Sequence, residues 1–74
     1  MKVTIINQGK EGESLCFQVQ DIEGEVYLIS DCKIKETFGK FIGYYGTCEG
    51  HPAHLNILSK NEVELLINGK TKDI

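Results

Sequence analysis

The segment SLCFQVQD (residues 14–21) alternates apolar and polar residues, and this pattern constrains the fold more than any other feature of the chain. Leu15, Phe17 and Val19 fall on one side of an extended strand, with Cys16, Gln18 and Gln20 on the other. Strict alternation is the signature of a strand with one buried face. The β-branched segments KVTIINQ (2–8) and EVYLISD (25–31) are similar and predict two further strands.

The turn between the second and third strands sets their expected pairing. Gly24 follows Glu23, and glycine readily takes the positive φ that a tight hairpin turn requires. A turn with two central residues would place Val19 opposite Leu28 and Phe17 opposite Ser30. These positions would then lie on the inner face of a sheet.

A second hairpin is predicted near the end of the chain, from HLNILS (54–59) and VELLIN (63–68) joined by KNE. A three-residue loop would pair Leu55 with Ile67 and Ile57 with Leu65, which collects the apolar residues on one face. The segment KTKDI that follows would be a short tail or a terminal edge strand. The predicted core therefore consists of Phe17, Val19, Leu28, Leu55, Ile57, Leu65 and Ile67.

The middle of the chain supports two interpretations. Apolar residues from Ile34 to Tyr45 recur at spacings of three and four, which indicates a short helix or helical turn over 33–42, followed by an irregular stretch through Pro52. Against this, Gly39 and Gly43 disfavour a helix, and KFIGYYGTC (40–48) is also typical of a glycine-bent strand. With the helix, the order predicts a mainly β, five-stranded OB-like barrel, with an SH3-like barrel as the second choice.

The length predicts one domain over residues 1–74 with a single small core. Such a core must bury most of the apolar residues or gain stability from a partner or an oligomer. The first residues lack the apolar segment and cleavage site of a signal peptide, and no apolar run is long enough to span a membrane. Three cysteines, an odd number, argue against a disulfide framework. We therefore predict a cytoplasmic protein with reduced thiols and no membrane partner.

The charge of the chain disfavours nucleic acid as its partner. The chain has eight lysines, no arginine and eleven acidic residues, which give a net charge of −3. Phosphate binding requires a cationic surplus, and base recognition favours the planar arginine side chain. The segment 33–45 is nevertheless locally basic and rich in aromatic residues, so a barrel that binds single-stranded nucleic acid remains an alternative.

Cysteine and histidine side chains suggest a metal site that their spacing does not support. If a zinc ion were bound, its ligands would be Cys32, Cys48, His51 and His54. These residues provide only one closely spaced pair, Cys48 and His51, where zinc modules normally use two. We predict no metal and no cofactor, and a zinc-stabilised module is a second alternative. A Cys48–His51 nucleophile would need a pocket that so short a chain hardly forms, so no enzymatic activity is expected.

The segment FGKFIGYYGTCEGHPAH (38–54) is the predicted functional surface. Phe38, Phe41 and one tyrosine are expected to plug one end of the barrel, because large aromatic residues usually fill cores. The predicted partner-binding residues are Tyr44, Tyr45, His51 and Lys40. The leading hypothesis is a small acidic protein-binding domain, a regulator, adaptor or inhibitor of the kind that phages and mobile elements encode.

Overall fold

In the computed structural model, which describes residues 1–68, the chain folds into a closed barrel of six antiparallel strands. Each strand pairs with the next along the chain, and the first and last strands pair to close the barrel. The strands are β1 (Lys2–Glu11), β2 (Ser14–Asp21), β3 (Val26–Thr37), β4 (Lys40–Cys48), β5 (His51–Ile57) and β6 (Glu62–Ile67). No helix among these residues has the length and apolarity needed to cross a lipid bilayer.

The prediction of a small, mainly β barrel is confirmed, but two of its details are wrong. There are six strands rather than five, and residues 1–68 contain no helix. The strands follow one another around the barrel, whereas an OB-fold is a five-stranded Greek-key barrel. The helical turn expected in the OB-like and SH3-like interpretations is replaced by strand.

The predicted helix is a β-hairpin whose turn lies at Phe38 and Gly39. Both residues have positive φ, 53° and 77°, as the type I′ turn of a two-residue hairpin requires. The register between β3 and β4 shifts at Lys35–Glu36. This shift and the turn together imitate a helical spacing of apolar residues. The glycine-bent strand was the correct interpretation, since β4 covers the same residues, 40–48.

The turn between β2 and β3 is longer than predicted, and the pairing differs by one residue. Gly24 has the expected positive φ of 92°, and its N–H donates to the carbonyl oxygen of Asp21. Four residues, 22–25, lie between the two strands, where two were predicted. The Asp21 carboxylate accepts two further backbone N–H bonds from this loop. Val19 therefore pairs with Tyr27, and Leu28 points outward with 54% of its surface exposed, against the prediction.

The β5–β6 hairpin keeps its predicted inner face although its register is wrong. The connection spans residues 58–61, and Leu55 pairs with Leu65 rather than with Ile67. A slip of two residues leaves each side chain on its original face, because side chains alternate with a period of two. Ile57 is exposed, against the prediction, while Ile67 is half-buried against the core. The tail predicted over 70–74 lies outside the described residues.

The core is apolar throughout the part of the chain that the structure describes, with no buried polar or charged residue. Gly46 lies opposite Ala53, beside Cys32, where β3 bends at Asp31. A side chain on Gly46 would collide with the carbonyl oxygen of Ser30, so the close approach of β3 and β4 requires glycine. The buried residues are Val3, Phe17, Val19, Ile29, Cys32, Cys48, Ala53, Leu55, Val63 and Leu65.

The β3–β4 hairpin extends beyond the strand pairing of the barrel. The pairing of β2 with β3 stops at Cys32, and that of β4 with β5 starts at Gly43. Residues 33–42 therefore form ladder pairs only between β3 and β4. We refer to residues 33–42 as the β3–β4 arm.

Candidate functional site

The β3–β4 arm exposes apolar side chains that continue outward from the core. The Tyr44 ring packs on the buried Phe17 ring with centroids 4.5 Å apart, and Phe41 contacts Tyr44 edge-on at 5.2 Å. Ile34 pairs with Tyr44 across the hairpin and is more than half exposed. The base of the arm is thus anchored in the core by aromatic contacts, while its apolar residues stay accessible.

Phe38 stands at the tip of the arm and is completely exposed to solvent, at 100%. The sequence-based expectation that it plugs the barrel end is therefore wrong for Phe38. Phe41 is about half exposed and covers Tyr44 from outside the barrel. The plugging role belongs to Tyr44, which is the partly buried aromatic residue packed on the core.

The arm is basic on a chain that is acidic. It carries three lysines, Lys33, Lys35 and Lys40, and one acid, Glu36, which gives a local charge of +2 against −3 for the whole chain. Lys33 and Lys40 are exposed, whereas Lys35 is half-buried. The surface of the arm thus combines exposed apolar side chains with exposed positive charges.

A hydrogen-bonded cluster lies on the outer face at the base of the arm. Lys35 Nζ donates to Asn56 Oδ1 at 2.6 Å and lies 3.1 Å from His54 Nδ1. Gly43 of β4 stands between Lys35 and Asn56 in register, and its lack of a side chain lets the lysine cross to β5. The Tyr45 ring flanks His54 with centroids 6.4 Å apart. We call Lys35, His54 and Asn56 the outer-face cluster.

The four predicted partner-binding residues occupy four different places. Tyr44 points into the barrel, and Tyr45 points outward beside His54. Lys40 begins β4 next to the tip of the arm, while His51 follows the turn at the other end of that strand. Eight residue steps at about 3.3 Å each separate the two ends of β4, roughly 26 Å. Lys40 and His51 thus belong to separate surfaces, and the binding role of all four residues remains a prediction.

The alternative zinc ligands do not converge. Cys32 and Cys48 are buried in the core, while His51 and His54 are half-buried on β5. Between Met1 and Asn68, no three histidine, cysteine or acidic side chains are grouped closely enough to hold a metal ion. The prediction that the purified protein carries no zinc awaits measurement.

The environment of two thiols favours the protonated form. Burial raises the pKa of Cys32 to about 11, so that its thiolate is rare at neutral pH. The pKa of Cys16 is also raised, by desolvation and by the Glu11 carboxylate, whose Oε1 atom lies 3.6 Å from Sγ. Neither group has the lowered pKa that marks a reactive cysteine.

Sequence reasoning missed Phe38 as an exposed residue and missed the outer-face cluster. The dipeptide Phe38-Gly39 has glycine at the second position of a type I′ turn, but phenylalanine replaces the usual Asn or Asp at the first. In the cluster, Lys35 is 19 positions from His54 and 21 positions from Asn56, so only the pairing of three strands reveals it. Comparison with protein-family models, with curated proteins and with solved structures finds no match for this chain.

Proposed function

We propose that this protein is a small, non-enzymatic protein-binding domain, a regulator, adaptor or inhibitor, whose β3–β4 arm docks into a partner. The observation that carries the proposal is Phe38, a large apolar residue that is fully exposed and held at a φ of 53°. Buried aromatic anchors dominate the binding energy of many protein interfaces.

The conformation of Phe38 supports a role for its side chain in binding another molecule. A left-handed backbone costs roughly 1–2 kcal/mol for a residue with a Cβ atom, and asparagine or glycine would reduce that cost. Complete exposure means that Phe38 gains no burial within the barrel to offset the cost. A partner with an apolar pocket would provide that burial.

The other residues of the arm indicate the character of that pocket. Ile34 and Phe41 add apolar surface, and Lys33 and Lys40 add exposed positive charge. Electrostatic complementarity across interfaces matches such a patch with an acidic surface. The expected partner is therefore a protein with an apolar pocket bordered by aspartate or glutamate residues.

A photo-crosslinking amino acid at position 38 would identify that partner. The matched control is position 22, because Ile22 is 98% exposed and lies in the β2–β3 loop, at the opposite end of the barrel. With the recovered partner, Phe38→Ala should weaken binding by about 1–3 kcal/mol, and Ile22→Ala should leave it unchanged. Equal effects of the two substitutions would show that the arm is not part of the interface.

Single-stranded nucleic acid is the second candidate, because Phe38 and Phe41 beside Lys40 could stack and neutralise an unpaired strand. A labelled oligothymidine titration tests it directly. Tight binding that weakens steeply from low to moderate salt and requires Lys40 would favour nucleic acid. Binding to a protein partner should depend on salt only mildly.

A further inference from the structure

We propose that the outer-face cluster of Lys35, His54 and Asn56 is a binding site for a carboxylate group. That the carboxylate comes from an aspartate or glutamate of a protein partner rests on the function proposed above. The carboxylate site itself follows from hydrogen bonding within the cluster and can be tested without any partner.

The hydrogen bonds of Lys35 fix the direction of the other groups. A lysine ammonium donates three hydrogen bonds and accepts none. His54 Nδ1 and Asn56 Oδ1 therefore both act as acceptors from Lys35 Nζ, at 3.1 and 2.6 Å. The neutral His54 ring then carries its proton on Nε2, and the Asn56 amide nitrogen is left to donate. The cluster can thus offer a ligand donors from His54, Asn56 and the third proton of Lys35.

The charge at this site suits a monoanion better than a phosphate. The cluster carries one fixed positive charge, on Lys35. Lys33, opposite Tyr45 on the adjacent strand, adds a second, exposed cation. Glu64 of β6 pairs with Asn56 and provides a negative charge on the other side. One net positive charge with several donors matches a carboxylate, whereas a phosphate dianion would be left partly uncompensated beside Glu64.

The surroundings and the position of the site agree with an acidic protein segment as its ligand. Tyr45 and Leu66 flank His54, each more than two-fifths exposed, so apolar atoms next to the carboxylate would also find contacts. Lys35 on β3 stands three residues before Phe38 in the turn, or about 10 Å along the arm. A partner could therefore fill its apolar pocket with Phe38 and present an acidic side chain to the cluster.

The test is a titration with sodium acetate, compared with sodium chloride at equal ionic strength. Nitrogen-detected NMR signals of the two histidine side chains and of the Asn56 amide report binding. We expect a saturable shift of His54 Nε2 and Asn56 Nδ2, with half-saturation in the millimolar range. His51 is the other histidine of the chain and should respond equally to acetate and chloride.

Two variants with the same charge change separate the site from the overall charge. Lys35→Met should weaken acetate binding at least about tenfold, because charge-assisted bonds are the strong ones. Lys60→Met, which removes an exposed lysine of the β5–β6 loop, should leave it unchanged. The wild-type comparison of His54 with His51 remains decisive if Lys35→Met fails to fold.

Three outcomes would overturn the assignment: equal responses to acetate and chloride, equal effects of the two lysine substitutions, or much tighter binding of inorganic phosphate than of acetate. Phe38→Ala should bind acetate as the wild type does. A failure of the arm to bind a protein would therefore leave the acetate result intact, and a failure with acetate would leave the arm proposal intact.

Discussion

Adjacent leucines on β6 have opposite environments, and they provide a direct test of the register. Leu65 pairs with Leu55 inside the barrel and is 2% exposed, whereas Leu66 points outward and is 43% exposed. Leu65→Ala should lower the free energy of unfolding by about 2–4 kcal/mol, because it leaves a cavity in the core. Leu66→Ala should cost less than about 1 kcal/mol. Urea titrations of both variants check this, and equal losses would contradict the inward position of Leu65.

The thiol of Cys32 makes stability depend on pH in the alkaline range. Its pKa is about 11 in the folded protein against an ordinary value of 9.0, because burial disfavours the thiolate. Between these values the unfolded chain loses its proton more readily, so the free energy of unfolding should fall as pH rises from 9 to 11. Well below pH 9 the thiol is protonated in both states and contributes no pH dependence.

Cys32→Ala isolates this contribution, because the other alkaline titrations are common to both proteins. Urea unfolding at several values between pH 8 and pH 11 should show a shallower decline for the variant than for the wild type. Parallel declines would mean that Cys32 ionises as easily in the folded protein as in the unfolded chain.

The turn of the β3–β4 arm connects stability with binding at the scale of a single element. Phe38→Asn should raise the free energy of unfolding by about 0.5–1 kcal/mol, because asparagine tolerates the left-handed conformation that phenylalanine resists. The same change should abolish the contribution of Phe38 to partner binding. Thermal and urea unfolding give the first quantity, and the crosslinked partner gives the second.

Phe38→Ala is the matched control for that experiment, since alanine removes the ring but keeps the Cβ atom that opposes a positive φ. It should weaken binding without the gain in stability. A loss of stability in Phe38→Asn would show instead that the phenylalanine ring stabilises the free barrel, so that no partner is needed to explain its conformation.

The elements also show how far periodicity in the sequence can predict this fold. The alternation over 14–21 predicted β2 with its observed bounds and its buried residues Phe17 and Val19. The inner face of the β5–β6 hairpin was also correct for Leu55 and Leu65. These predictions succeeded because a buried face imposes a period of two over several residues.

The errors arose where turns and bulges shift that period. The loop after Asp21 is held by side-chain hydrogen bonds that apolar spacing does not reveal, and this moved Leu28 to the outer face. In the arm, a left-handed phenylalanine and a register shift produced a helix-like spacing. The outer-face cluster depends on Gly43 lying between Lys35 and Asn56, which requires knowledge of three paired strands.

At the scale of the whole molecule, the core residues and the proposed binding residues lie in separate parts of the chain. The buried residues lie on the strands of the barrel, and none of the arm residues 33–42 belongs to the core cluster. Substitutions at Phe38, Phe41 or Lys40 should therefore change binding without unfolding the domain. The same separation makes the arm suitable for transfer to another β-hairpin, with Tyr44 retained to support Phe41.

The seam between β1 and β6 has a consequence for the order in which the molecule assembles. Its ladder comprises three pairs centred on Val3 and Val63, sixty positions apart, whereas the other five pairings join consecutive strands. Contacts between distant positions form late because closing a long loop costs entropy. We therefore expect the pairing of β1 with β6, which closes the barrel, to form after the transition state of folding.

Val3 and Val19 are equally suited to test this order, since both are valines buried to at least 98%. Val3→Ala should accelerate unfolding and leave the refolding rate nearly unchanged, whereas Val19→Ala, in the local β2–β3 hairpin, should slow refolding. Stopped-flow chevron plots of the two variants measure both rates.

If the seam does close last, brief opening between β1 and β6 is the route by which the native barrel begins to unfold, and a covalent link across Val3 and Val63 would lengthen the lifetime of the native barrel.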